Sequence, residues 1–126
     1  MTKEEFLRQV RNRLGLTDEA EAEAATRSVL AALADRITRD EAKDLASQLP
    51  KDFGDLVRER SGPVQKMDMD IFVSRVQGDL DLMNRGDAER IIRGVFSVVK
   101  DAVSEGEWED VVSQMPRDLQ EMFVTA

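Results

Sequence analysis

Any chemistry in this chain has to be done with a short list of side chains, because its 126 residues include no His, Cys or Tyr. That removes the imidazole base, the thiolate nucleophile, the phenol, and the usual nitrogen and sulfur ligands of zinc and iron–sulfur centres. Carboxylates, amines, guanidiniums and hydroxyls remain, and three groups of them have suggestive spacing. Asp79-Leu80-Asp81-Leu82-Met83-Asn84-Arg85-Gly86-Asp87 alternates acids like a calcium loop. Such a loop needs Gly at its sixth position and Glu at its twelfth. Here those positions hold Asn84 and Arg90, so the stretch reads as a polar turn between helices. Glu105, Glu107, Glu109 and Asp110 offer the oxygens of a divalent-ion site or a carboxylate pair. Glu107, however, falls at a capping position, and the others fan around a helix as a solvated face. Arg8, Arg11 and Arg13 lie opposite the apolar stripe of the first helix without an aromatic platform, a weak footprint for nucleic acid. They suit an acidic protein surface equally well. The expectation is no catalytic residue, no cofactor and no metal: not an enzyme.

The elements that would position these groups are read from an internal repeat. Shifting the sequence by 66 positions aligns residues 6–57 with 72–123 without a gap, and 15 of the 52 pairs are identical. Average composition would supply about three or four by chance. The identities include Phe6/Phe72, Leu14/Leu80, Arg27/Arg93, Asp35/Asp101, Glu41/Glu107, Asp44/Asp110, Gln48/Gln114 and Pro50/Pro116. Most other apolar positions match in kind. This is the pattern of a tandem duplication.

Each copy reads as four helices, and no segment alternates like a strand. Phe6, Leu7, Val10 and Leu14 form one helical stripe, repeated by Phe72, Val73, Val76 and Leu80. The second helix of each copy, from about Asp18 to Arg36 and from about Arg85 to Ala102, has so broad an apolar face that it must be central. Thr38-x-x-Glu41 and Ser104-x-x-Glu107 are capping boxes that open the third helices. Pro50 and Pro116 break those helices and fit the first turn of a short fourth one. The predicted fold is an all-α bundle of about eight helices with pseudo-twofold symmetry. Its units are residues 1–60 and 71–126, joined by a linker at 61–70 that contains Ser61-Gly62-Pro63 and packed together as one domain.

Polar residues kept in both copies have local explanations. Glu23/Arg27 and Glu89/Arg93 are i,i+4 ion pairs, as Asp44/Gln48 and Asp110/Gln114 are i,i+4 neighbours. Glu41 and Glu107 complete caps, and Asp52 and Asp118 favour a first helical turn. Ser47 and Ser113 sit one turn before a helix end, where a hydroxyl bonds a carbonyl. Asp35 and Asp101 have no local partner. Gly94 inside a helix, matched by Ser28, points to a close helix crossing.

The net charge is −8, divided as −2 over residues 1–62 and −6 over 63–126. Such a surface disfavours nucleic acid and anionic membranes. No apolar run is long enough to span a bilayer and no signal-peptide pattern opens the chain, which predicts a cytoplasmic protein. The copies differ at Trp108, which replaces Ala42, and at Met67 and Met69 ahead of the second unit. Trp and Met are common anchors on adaptable surfaces, so these three are the candidate partner-binding residues.

The pattern Arg27-x-Val29-Leu30-x-x-Leu33 with Leu45-x-x-Gln48-Leu49-Pro50, repeated as Arg93-x-Val95-Phe96 and Val111-x-x-Gln114-Met115-Pro116, resembles the bacterial family called domain of unknown function 2267. The resemblance covers nearly the whole chain. It implies a helical fold and no activity, cofactor or functional residue. The function expected from the residues is a protein–protein interaction module, its partner another protein or a second copy. The alternative is a small-molecule sensor with a pocket between the repeats.

Overall fold

A computed structural model describes Met1–Ala126. It consists of eight helices: α1 (Lys3–Leu14), α2 (Glu19–Arg36), α3 (Arg39–Gln48), α4 (Lys51–Arg60), α5 (Met69–Asp79), α6 (Arg85–Ala102), α7 (Glu105–Ser113) and α8 (Arg117–Val124). There is no strand. No helix is long and apolar enough to cross a membrane.

Six of the eight helices start at a side chain that caps them. Thr2, Asp18 and Thr38 cap α1, α2 and α3 by accepting backbone N–H groups, and Asp68, Asn84 and Ser104 do the same for α5, α6 and α7. Pro50 and Pro116 occupy the cap positions of α4 and α8, one residue earlier than the first-turn placement read from the sequence. All eight caps stand 66 residues from their counterparts. The non-helical segment between the halves is 61–68, two residues shorter than the predicted linker. The Asp68 carboxylate, 2.9 Å from the Ile71 nitrogen, sets the earlier start of α5.

The 18-residue helices α2 and α6 are central, as their broad faces predict. α2 packs on α1, α4, α5 and α6, while α6 packs on α1, α2, α5 and α8. The first helix of each half thus leans on the long helix of the other. At the α1–α6 crossing a Cβ on Gly94 would stand 2.5 Å from the Leu14 side chain, so glycine is what lets the helices approach this closely. A single cluster of 34 buried hydrophobic residues runs through both halves. Phe6 stacks obliquely on Phe53 in the first half, and Phe96 stacks on Phe123 at 4.0 Å in the second. Burying each such aromatic or aliphatic side chain contributes about 1.5–3 kcal/mol, which is where the bundle's stability comes from.

Candidate functional site

Trp108 lies in the wall between α6, α7 and α8. Its ring packs edge-on to Phe96 at 6.4 Å and against Phe123 at 5.1 Å, and only 8% of the residue is exposed. It therefore belongs to the core, and the edge it shows is one side of a groove. That groove, about 470 Å³, has Trp108, Val112, Phe123 and Val124 as its floor and Lys100, Glu105, Glu109 and Ser113 around them. Val124 stands 77% exposed beside it. Met67 and Met69 do not line the groove. Met67 is 5% exposed at the end of the linker, its sulfur 3.8 Å from an Arg75 nitrogen, and Met69 is half-buried against the core. The three sequence candidates thus form no common surface.

Asp35, for which the sequence offers no local partner, is buried at the end of α2 and accepts from two arginines. Arg60 reaches it at 2.6 Å from the end of α4, and Arg75 reaches it from α5. This contact holds Arg60 above the ordinary guanidinium range. Its counterpart Asp101 is exposed and pairs with Arg13 of α1. One of the three arginines of α1 is therefore taken up by the acidic half of the same chain.

The seam between α3 and α7 corrects several local readings. The caps form as expected at the hydroxyls, with Thr38 Oγ1 accepting from Glu41 N–H at 3.2 Å and Ser104 Oγ from Glu107 N–H at 3.2 Å. The return bonds do not form, because other groups hold the cap N–H groups. Gln114 Oε1 accepts from Thr38 N–H at 2.9 Å, and Gln48 Oε1 accepts from Ser104 N–H at 2.6 Å. The glutamines are thus reciprocal ties between the halves, not partners of Asp44 and Asp110. Glu41 and Glu107, displaced from their caps, turn into the seam and are 8% and 6% exposed. Burial, and next the facing Glu41 carboxylate, push Glu107 from the usual carboxylate range up to about 8. Part of this was visible in the sequence. Glu41, Asp44 and Gln48 are spaced i, i+3, i+7 on one helical face, and all three recur at the 66-residue offset.

Other pairings also differ from the local scheme. Arg27 pairs with Glu23 as read, at 3.0 Å, and Lys3 joins them, so Glu23 is held below the usual carboxylate range. Glu89, by contrast, pairs with Arg85, because Arg93 donates to the Thr125 hydroxyl at the chain's end. Asp118 does more than favour a dipole: it accepts the Met69 N–H at 3.1 Å and so ties α8 to the start of α5. Ser47 and Ser113 donate to the Asp44 and Asp110 carbonyls as expected. The Asp79–Asp87 stretch runs from the end of α5 through a turn at 80–84 into α6; Asp79 accepts from Ser28, Asp81 takes a left-handed φ of 54° and Asn84 caps α6.

A second concavity opens between the halves at the other side of the bundle. About 400 Å³ in volume, it is lined by Leu16, Ala24, Ala25, Leu80, Leu82 and Ile91, with Glu21 as its one charged residue.

No curated protein matches the chain in sequence. A family model does, over residues 3–122, and the chain belongs to that family, described as Uncharacterized conserved protein (DUF2267).

Proposed function

We propose that this chain is a non-enzymatic helical interaction domain that binds another protein on the groove beside Trp108. The groove itself carries the reading: an apolar floor of Trp108, Val112, Phe123 and Val124 between helices, with Glu105 and Glu109 beside it. An amphipathic segment with basic flanks matches that chemistry, laying apolar anchors on the floor and cations toward the glutamates. The half that presents the groove carries most of the negative charge, −6 of −8. A side-chain inventory without His, Cys or Tyr agrees with a binding role rather than catalysis. The proposal includes a cytoplasmic location, which cell fractionation tests.

Because Trp108 is a core residue, its truncation would confound binding with folding. Val124→Asp and the double charge reversal Glu105→Lys/Glu109→Lys change only exposed positions. In affinity capture from source lysate, a partner recovered by the wild type should be lost with Val124→Asp and weakened with the charge reversal. A partner retained by both variants, each helical by circular dichroism, would overturn the groove as the binding surface.

The second reading, a sensor for a small apolar ligand, is favoured by the cleft of Leu16, Leu80, Leu82 and Ile91, to which both halves contribute. Exposed Ala24 lies at its wall. If a metabolite panel contains a ligand, it should raise the unfolding temperature of the wild type but not of Ala24→Leu, which fills the cleft. A panel that shifts neither protein counts against this reading.

A further inference from the structure

Three carboxylates are buried in this protein, and they are treated differently. Asp35 has two arginines. Glu41 and Glu107 have no ion pair, and the second oxygen of each, Oε2, has no hydrogen-bond partner. Apart from a proton shared between the two glutamates, the only side-chain donor to either carboxylate is Gln114 Nε2, 3.4 Å from Glu41 Oε1. The N–H groups that a capping box would have offered are occupied by Gln48 and Gln114. Two ionised carboxylates are acceptors only, so facing one another they cannot satisfy each other. Burying such a pair without a counter-charge costs several kcal/mol, and an orphaned buried oxygen calls for a positive group at that spot.

Asp110 supplies a third carboxylate at the solvent edge of the seam, and one oxygen from each of Glu41, Glu107 and Asp110 lies within 4.8 Å of the other two. Asp44, the counterpart of Asp110, adds further negative charge near Glu107. We propose that the α3–α7 seam binds one hard divalent cation through Glu41, Glu107 and Asp110. A donor set of carboxylate oxygens alone selects magnesium, manganese or calcium over the metals that prefer nitrogen and sulfur. Exposed Asp110 leaves one side open, where water completes the coordination shell. The ion neutralises the orphaned oxygens and ties α3 to α7, reinforcing the glutamine ties between the halves.

The test uses the full chain stripped with chelator and titrated with manganese at about pH 7.5, where carboxylate sites bind metal. The free-ion electron paramagnetic resonance signal should be suppressed up to one equivalent, and the unfolding temperature should rise. Asp110→Asn alters an exposed residue and should weaken binding at least about tenfold while the protein stays folded. Glu107→Gln should abolish binding. Undiminished binding in both variants would locate the ion elsewhere on the acidic surface and overturn the site. A wild type that leaves the manganese signal intact to millimolar concentration, with an unfolding temperature that responds to pH alone, would assign the seam a shared proton and equally overturn the metal.

Discussion

The buried carboxylates at the end of α2 and in the α3–α7 seam solve the same problem in opposite ways. At the end of α2, Asp35 is 4% exposed and meets two guanidiniums, one from its own half and one from α5 of the other. At the α3–α7 seam, Glu41 and Glu107 are also buried, form no ion pair and lie beside Asp110 and Gln114. Burial penalises the charged form in both places. Where cations are present, that penalty is offset by attraction. Where they are absent, the protein has to hold a proton or recruit an ion. The contrast separates a structural ion pair from a responsive site, although both consist of buried carboxylates joining the two halves.

Breaking the compensated end should have the largest effect. Asp35→Asn keeps the size of the side chain but leaves Arg60 and Arg75 without their anion. Removing one partner of a buried pair costs about 3–5 kcal/mol. The arginines are 43% and 22% exposed and can turn partly to water, which lowers the expected loss to about 2–3 kcal/mol. Urea denaturation at neutral pH should show it, and a loss below about 0.5 kcal/mol would remove Asp35 from the stabilising contacts.

The uncompensated end should respond in the opposite sense. In metal-free protein Glu107 rises from 4.5 to about 8, so between those values the folded state holds more protons than the unfolded one. Stability from this group is therefore complete below about pH 4.5, declines as pH rises, and is gone above about pH 8. Glu107→Gln carries no charge to bury and should lack this decline. At pH 9 it should be the more stable protein by about 1–2 kcal/mol, a reversal of the usual cost of losing a buried polar group. Parallel profiles of unfolding temperature against pH for the two proteins would erase the distinction between the Asp35 contact and the seam.

Local features of the fold were legible in the sequence, and long-range ones were not. The caps at Thr38 and Ser104 are set by hydrogen bonds to N–H groups three residues away, within reach of pattern reading. The apolar stripes of α2 and α6 likewise announce their central position. Asp35 is bound by residues 25 and 40 positions away, which no spacing rule connects. Gln48 and Glu107 have local partners within one helical turn, Asp44 and Ser104, and these mask the long-range contacts they make across the seam. The face shared by Glu41, Asp44 and Gln48, repeated in the other half, was the signal that these residues work together. Trp108 reads from the sequence as a partner-binding anchor, but Phe96 and Phe123 arriving from α6 and α8 bury it.

The smallest effect should come from the glutamines, and it joins the two ends of the comparison. Ser104 is exposed, so when Gln48→Met removes the acceptor from its N–H, water can replace it. The stability lost at pH 6 should be about 0.5–1 kcal/mol, the net value of one hydrogen bond. The freed N–H is also the group that a complete capping box would give to Glu107. With that donor available, the Glu107 carboxylate can swing back to its own helix start, away from Glu41, and ionise more readily. The pH at which metal-free protein loses stability should therefore move down from about 8 in the variant. Gln114→Met should likewise free the Thr38 N–H, which its Oε1 holds, and draw the Glu41 carboxylate away from Glu107. If both variants lose the expected fraction of stability but keep the wild-type pH profile, the glutamines are ties and nothing more. If the profile shifts, they are what keeps the glutamates facing each other across the seam.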